Sequence, residues 1–127
     1  MDRVRVGVIG VGGIFRGAHL PAYLNVAEAK VVSLCDVSEE TLRESEKLMK
    51  KLYREKAEEA EKEGNLELSQ RLKDDVESLR TYKNAEEMLS KENLDLIDIC
   101  TPTKFHNSLA IQVLSHGVNV MVEKPMA

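Results

Sequence analysis

Residues 4–17 read Val4-Arg-Val-Gly-Val-Ile-Gly-Val-Gly-Gly-Ile-Phe-Arg-Gly17, and this stretch decides the fold. Five of the chain's seven glycines lie between residues 7 and 17, and the alternating, β-branched run before them predicts a strand over residues 4–9. Residues 14–27 have the apolar spacing of a helix. A strand that turns through bare backbone into a helix presents free N–H groups at the positive end of a helix dipole. The stretch therefore predicts a binding site for a pyrophosphate.

The same turn carries part of the G-x-G-x-x-G spacing of dinucleotide-binding loops. Gly10 and Gly12 fill the first two glycine positions, Gly13 follows, and Phe15 stands in the third. The first glycine permits the tight turn and the second lets pyrophosphate approach the backbone, whereas the third mainly governs helix–strand packing. The loss of the third glycine should therefore weaken binding least. The alternative is a turn that only joins strand to helix, but an acidic residue about 20 positions on favours the dinucleotide site.

Asp36 is that acidic residue, and it closes the apolar run that begins at Val31. A carboxylate here can accept both hydroxyls of an adenosine ribose and would repel a 2′-phosphate. Because neither Val37 nor Ser38 is an arginine, NAD is favoured over NADP, although Arg43 lies seven residues on. The alternative is that Asp36 helps Ser38 to cap the next helix.

Strand and helix patterns alternate along the chain. Strands are predicted over 4–9, 30–35, 81–83, 94–100 and 118–122, and helices over 14–27, 84–89 and 106–115. Pro21 should kink the first helix or end it early. This alternation implies βαβ units and an α/β fold with a doubly wound, mainly parallel sheet.

Residues 39–80 form a separate, charged segment with 13 acidic and 10 basic residues, no proline and one glycine. Two apolar stripes at helical spacing break at Gly64-Asn65, which predicts a hairpin of two antiparallel helices. Pairs such as Glu39–Arg43 and Glu46–Lys50 should add about 0.2–0.5 kcal/mol each. The hairpin is either a solvated element packed on itself and the sheet or a contact in a homo-oligomer. Its acidic balance disfavours a nucleic-acid role.

Composition narrows the function classes further. The chain has 127 residues, a net charge of −4 and a pI near 5.4, so it offers one domain and no general basic surface for nucleic acid. No apolar run approaches the roughly 20 residues of a membrane span, and glycines interrupt the N-terminal apolar run as they would not in a signal peptide. We expect a soluble, cytoplasmic domain without a membrane partner. Cys35 and Cys100 each end an apolar run, which favours reduced core residues over a disulfide or redox pair.

Two further constellations follow predicted strands. The first is Thr101-Pro-Thr-Lys-Phe-His106, of which Thr101 and Pro102 should lie at the carboxyl edge of the sheet, where such folds bind ligands. His106 falls at the start of the next helix, where it either contacts ligand or packs and caps.

The second constellation is Glu123-Lys124-Pro125, after the last strand. A lysine there can polarise a hydroxyl or carbonyl beside a nicotinamide and shuttle a proton, if the site lowers its pKa from about 10.4. The alternative is an ordinary exposed lysine.

Taken together, four stretches resemble the N-terminal half of the Gfo/Idh/MocA oxidoreductase family. They are residues 10–21, 32–36, 98–106 and 122–127, which carry in order the glycine loop with His-Leu-Pro, the acidic strand end, T-P-x-x-x-H and E-K-P. The resemblance implies a Rossmann domain that binds NAD, or alternatively NADP. It also implies a dehydrogenase that transfers hydride between nicotinamide and a sugar, cyclitol or similar small polyol.

The resemblance also implies roles for individual residues, none of them metal ligation. The pyrophosphate loop would consist of Gly10, Gly12, Gly13, Ile14 and Phe15, and Asp36 would bind the ribose. Thr101, Pro102 and His106 would line the cofactor cleft. Glu123 would lie near the nicotinamide, and Lys124 would be the catalytic lysine and would also contact the cofactor.

The family places a second α/β domain, with the substrate pocket, after the E-K-P strand. We therefore expect residues 1–127 to be the cofactor domain alone, a truncated piece that binds NAD(H) weakly and oxidises no sugar by itself. A different class remains open: a non-catalytic NAD(P) sensor or transcriptional co-regulator on the same fold, against which Lys124 argues.

Overall fold

A computed structural model describes residues 3–101 and 106–122. These residues form one five-stranded sheet in the order β3-β2-β1-β4-β5, and every neighbouring pair of strands is parallel. The strands are β1 (Val4–Ile9), β2 (Ala29–Cys35), β3 (Arg80–Tyr82), β4 (Leu96–Ile99) and β5 (Asn119–Val122). Winding reverses between β1 and β4. The predicted α/β fold with a doubly wound parallel sheet is confirmed.

Within the described residues, five α-helices connect the strands: α1 (Leu20–Leu24), α2 (Glu39–Lys62), α3 (Leu66–Glu77), α4 (Ala85–Lys91) and α5 (His106–Ser115). The strand starts and helix ends predicted from the sequence differ from these bounds by a few residues. None of the helices in the described part of the chain is long and apolar enough to span a membrane.

The sequence predicts that Pro21 kinks or ends the first helix, but the irregular part of this helix lies just before the proline. A π-helical turn covers Phe15–His19, and the Leu20 amide donates to the Phe15 carbonyl, five residues back. α1 follows with the proline in its first turn and ends at Leu24, earlier than the predicted residue 27. Because proline has no N–H to give to the carbonyl four residues earlier, the widened turn accommodates it at little cost.

The core has one layer on each face of the sheet. Phe15, Leu20, Leu42 and Met49 belong to the layer formed with the first helix and the hairpin, and Met88, Ile97, Ile99 and Val113 belong to the layer under α4 and α5. Strands buried on both faces read as near-continuous apolar runs, and the second half of β1 and most of β4 are buried in this way.

The charged segment is the predicted helical hairpin. Gly64 turns the chain with a φ of +83°, and the Asn65 side chain caps α3 by accepting from the Leu68 amide at 3.1 Å. The apolar stripes pack against each other and against the sheet, as one of the two interpretations expected. An oligomer contact through the hairpin stays a prediction.

One tie between the hairpin and the sheet was not predicted. Arg3 donates to both carboxylate oxygens of Asp75 at 2.8 and 2.9 Å, and also to the carbonyls of Ala27 and Ala29. The Asp75 side chain is only 6% exposed, and its bidentate partner satisfies it. The pair fastens α3 to the amino end of the sheet.

Candidate functional site

A groove of about 730 Å³ opens at the carboxyl ends of the strands, where the winding reverses. Folds of this type bind ligands at this position. The predicted residues in its wall are Gly10, Gly12, Gly13, Ile14, Asp36 and Thr101.

Gly10 is the residue that the turn after β1 requires. Its φ is +89°, a conformation that side-chain-bearing residues rarely adopt. A Cβ here would stand 2.6 Å from the Thr101 Cγ2 and 2.9 Å from the Thr101 nitrogen. The Gly10 amide donates to the Cys35 carbonyl at 2.8 Å. The first glycine therefore lets the loop pack against the ends of β2 and β4.

Gly12 and Gly13 face open space. No atom lies within 4 Å of the position that a Cβ would take on either residue. The chain is helical from Gly13 onward, and the Arg16 amide donates to the Gly12 carbonyl at 3.0 Å. The groove thus meets bare backbone at the start of a helix, where a phosphate is electrostatically favoured.

Phe15 occupies the third glycine position as a core residue. Its side chain is fully buried in the layer beneath the first helix. It lies behind the loop and does not contribute to the groove wall, which agrees with the packing role expected of that position. The adjacent Ile14 is 46% exposed and does line the groove.

Asp36 connects the end of β2 to the glycine loop. One carboxylate oxygen accepts from the Val11 amide at 3.0 Å, and the other accepts from the Ser38 amide at 2.9 Å. Ser38 caps α2 by accepting from the Thr41 amide. Asp36 therefore supports the residue that caps α2, as the capping alternative expected in part. A carboxylate has about four acceptor positions, so two would remain for ribose hydroxyls.

The loop is braced by residues that sequence reasoning missed. Buried Ser45 of α2 donates to the Val11 carbonyl, and the Arg16 Nε donates to the Ser45 Oγ at 2.7 Å. Arg16 also donates to the Thr41 carbonyl at 3.2 Å. These contacts connect two helix starts through the loop, and only the three-dimensional pairing of the helices could have revealed them.

Thr101 lines the groove and carries a polar atom that the described residues leave unsatisfied. Its Oγ1 is buried and has no hydrogen-bond partner among residues 3–101 and 106–122. A buried hydroxyl without a partner costs free energy unless a ligand or water satisfies it. The His106 Nε2 lies 2.5 Å from the Thr101 carbonyl oxygen, at the end of β4. Both predicted roles of His106, ligand contact and packing, stay predictions.

A buried polar cluster lies under the first helix, also unforeseen. Asp98 is fully buried in β4, with the His19 Nδ1 at 2.5 Å, the Tyr23 hydroxyl donating at 2.8 Å and the Cys100 thiol donating at 3.4 Å. Burial, with the nearby Asp98 carboxylate, raises the pKa of Tyr23 well above its ordinary value. An aspartate inside the apolar run of β4 was the available signal, because a buried charge needs partners.

The cluster offers donor types that metals accept. One atom each of His19, Asp98 and Cys100 lies within 4.8 Å of the others. However, the 2.5 Å between His19 Nδ1 and Asp98 Oδ2 is a hydrogen-bond separation, whereas two ligands of a tetrahedral zinc at about 2.0–2.2 Å stand roughly 3.3 Å apart. The geometry is that of a satisfied hydrogen-bond network.

Both cysteines are free thiols, as predicted. Cys35 packs in the layer under α4 and α5, and Cys100 packs in the layer under the first helix, so the sheet separates them. Burial raises the pKa of the Cys35 thiol to about 12.

Comparison with known proteins agrees with this geometry. The profile of the GFO_IDH_MocA family, described as an oxidoreductase family with an NAD-binding Rossmann fold, matches residues 4–127. The chain belongs to the Gfo/Idh/MocA family. Its predicted resemblance and its NAD-type cofactor are thereby confirmed.

Curated relatives of this Gfo/Idh/MocA chain are longer than the chain itself. A D-apiose dehydrogenase of Paraburkholderia graminis is 30% identical over 127 residues, all of this chain and 26% of the relative. A glycosyl hydrolase family 109 protein of Shewanella baltica is 31% identical over 128 residues, all of this chain and 24% of the relative. The chain therefore spans about a quarter of the length of these relatives.

Solved structures show the same arrangement. The WlbA dehydrogenase of Bordetella pertussis, in complex with NADH and UDP-GlcNAcA, matches with a TM-score of 0.71 and 25% identity over 99% of this chain and 30% of that one. The myo-inositol 2-dehydrogenase of Lactobacillus plantarum matches with a TM-score of 0.65 and 26% identity over 98% of this chain and 29% of that one.

Three predicted site residues of this Gfo/Idh/MocA chain, Pro102, Glu123 and Lys124, lie outside the described residues. Their roles, including the catalytic role of Lys124, stay predictions. The other predicted site residues converge on one groove, apart from Phe15 behind it and His106 beside Thr101.

Proposed function

We propose that this chain is the coenzyme-binding domain of an oxidoreductase that moves hydride between nicotinamide and a hydroxyl-bearing carbon of a sugar, cyclitol or similar small polyol. One observation carries the binding half of the proposal: bare backbone at Gly12 and Gly13 borders the groove beside the Asp36 carboxylate. Phosphate and ribose groups are recognised by such a pair of features.

Different residues along the groove would bind different parts of the coenzyme. The backbone at Gly12 and Gly13 would hold the pyrophosphate, and Asp36 would accept from the adenosine ribose through its two remaining acceptor positions. Thr101, at the end of β4, would line the coenzyme cleft. The coenzyme supplies a hydride acceptor or donor.

Lys124 would handle the proton that accompanies the hydride. We propose that its amine takes the proton from the substrate hydroxyl during oxidation and returns it during reduction of the ketone. A base in this role works best when its pKa lies near the operating pH, well below the ordinary 10.4 of lysine. Glu123, its neighbour in sequence, would lie near the nicotinamide.

Names of the relatives support the substrate class. A D-apiose dehydrogenase, a myo-inositol 2-dehydrogenase and a dehydrogenase in complex with UDP-GlcNAcA all concern sugars or polyols. Because this chain spans about a quarter of the curated relatives, activity on such a substrate is proposed for the complete protein. The chain by itself should bind NAD(H) weakly and turn over no sugar.

Calorimetric titration of the folded chain with NAD+ and NADH tests the binding half. Gly12→Val should fill the open space over the groove and weaken binding at least tenfold. Gly17→Val is the matched control, because it adds the same side chain to another open glycine of the segment, one outside the groove wall. No binding by folded wild-type chain, or equal binding by Gly12→Val, would overturn the proposal.

A Lys124→Ala variant of the complete protein separates the enzyme from the sensor alternative. An enzyme keeps its coenzyme affinity and loses turnover, since the proton has no acceptor. A sensor keeps its coenzyme affinity and shows no turnover before or after the change. Sustained turnover in the variant would remove Lys124 from the mechanism.

A further inference from the structure

Two cations lie near the end of β2, which the residue proposed to bind the adenosine ribose directly follows. The Asp36 amide donates to the Tyr82 carbonyl at 3.1 Å, so Lys83, the next residue, comes directly beside Asp36 at the edge of the sheet. Lys83 also lines the groove. Arg43 reaches the same region from α2, where its guanidinium donates to the Thr81 Oγ1 at 3.2 Å.

Glu39 holds both cations. This residue is the first of α2, three positions after Asp36. Its Oε1 accepts from the Arg43 Nε at 2.8 Å, and its Oε2 lies 3.7 Å from the Lys83 Nζ. The Glu46 Oε1 accepts a hydrogen bond from the Arg43 Nη1 at 2.7 Å. Each cation beside the ribose position is therefore already paired with a carboxylate.

We propose that Glu39 sets the coenzyme preference of this chain, because it binds the two cations that could otherwise receive a 2′-phosphate and so favours NAD(H) over NADP(H). The proposal rests on the proposed function. It assigns discrimination to a residue that need not touch the bound NAD(H).

The charges around Arg43 and Lys83 support this role. Asp36, Glu39 and Glu46 contribute three negative charges. Lys83, Arg43 and Lys50, which lies 3.5 Å from Glu46, contribute three positive ones, so the cations are already balanced by carboxylates. A 2′-phosphate would add about −1.5 to −2 more, by analogy with phosphorylated side chains. Arginine binds phosphate through paired N–H donors, but here Glu39 and Glu46 engage those donors.

Glu39 is charged under neutral conditions. Its hydrogen bond from Arg43, with the charges of Arg43 and Lys83, lowers the pKa of the carboxyl below its ordinary range. The side chains of Glu39 and Arg43 are about half exposed, and that of Lys83 more so, so the discrimination should weaken as salt screens these pairs.

Titration of wild type and Glu39→Gln with NAD+ and NADP+ tests the proposal. The variant should bind NADP+ about fivefold more tightly, the size expected when exposed ion pairs are released to a new anion. Its NAD+ affinity should stay within about twofold. The gain for NADP+ should shrink at higher ionic strength and disappear when Arg43→Gln and Lys83→Gln are added.

Glu61→Gln is the matched control. Glu61 lies on α2, 22 residues after Glu39, and pairs with Lys73 of α3 at 3.6 Å. Glu61→Gln therefore makes the same change of net charge far from the groove. Its NADP+ affinity should equal that of wild type. An equal gain in both variants would overturn the proposal, because it would show a net-charge effect only.

The remaining outcomes distinguish the role of Glu39 from the proposed function on which it rests. Folded wild-type chain that binds neither coenzyme would overturn both. Wild-type chain that prefers NAD+ while Glu39→Gln leaves NADP+ affinity unchanged would overturn the role of Glu39 and leave the proposed function standing. Wild-type chain that binds NADP+ as tightly as NAD+ would also overturn the inference alone.

Discussion

The Asp36 carboxylate accepts a hydrogen bond from the Val11 backbone amide at 3.0 Å, so the residue proposed to hold the ribose also fastens the phosphate loop. If Asp36 holds the ribose as proposed, ribose recognition and loop position are coupled. The coenzyme would then meet a loop that is already held against the end of β2.

Asp36→Ala should reduce coenzyme affinity more than tenfold and lower the free energy of unfolding by about 1.5–3 kcal/mol, since a charged acceptor of two amides is lost. Calorimetry and denaturant unfolding measure the two effects. Asp95→Ala is the control, because Asp95 also accepts from a backbone amide, that of Arg5 at 2.8 Å, but at the opposite end of the sheet. Loss of affinity in the control would contradict the assignment.

Gly10→Ala should destabilise the fold, whereas Gly12→Ala should leave stability nearly unchanged. The first substitution forces a side chain into a positive φ of +89° and to within 2.6 Å of the Thr101 Cγ2, but the second enters open space. We expect Gly10→Ala to lower the free energy of unfolding by about 1–3 kcal/mol. Denaturant midpoints of the two variants provide the measurement, and equal midpoints would show that the loop adapts.

His19→Leu should lower the free energy of unfolding by about 3–5 kcal/mol, because it removes a partner from a fully buried carboxylate. Asp98→Leu should cost a similar amount. The double variant should cost clearly less than the sum, since neither polar side chain then remains buried without its partner. Additive losses in this double-mutant cycle would mean that the two side chains do not interact.

The three tyrosines should ionise above their ordinary pKa near 10 in the folded chain, Tyr23 and Tyr53 well above it. Burial raises the pKa of Tyr53 to about 12, and burial with carboxylate neighbours raises the pKa of Tyr23 and of Tyr82. Because the folded-state pKa values are raised, this contribution to stability is complete below about pH 10 and is lost as pH rises above it. Tyrosinate absorbance should therefore rise together with the loss of helical circular dichroism, and an earlier rise near pH 10 would contradict the burial.

Local patterns predicted the parts of this molecule that local physics controls. Alternating β-branched residues gave β1, the Gly64-Asn65 pair gave the break between two helices, and Asn84 caps α4 by accepting from the Glu87 amide as its position indicated. In each case the determining interactions lie within about five residues, so the sequence contains them directly.

Contacts between distant segments escaped prediction. His19 and Asp98 are 79 positions apart, and Arg3 and Asp75 are 72 positions apart. These pairs depend on the strand order and on how the hairpin lies across the sheet. The apolar spacing of each segment does not specify either property, although a charged residue inside a buried run signals that a partner exists.

The helical hairpin also provides an attachment point far from the groove. α2 starts three residues after Asp36 and runs for 24 residues, about 36 Å at 1.5 Å per residue, before the chain turns at Gly64. A fluorophore or surface tether attached at that turn would sit a full helix length from Asp36 and the groove. Immobilised or single-molecule experiments can thus be built on this chain without obstructing the groove.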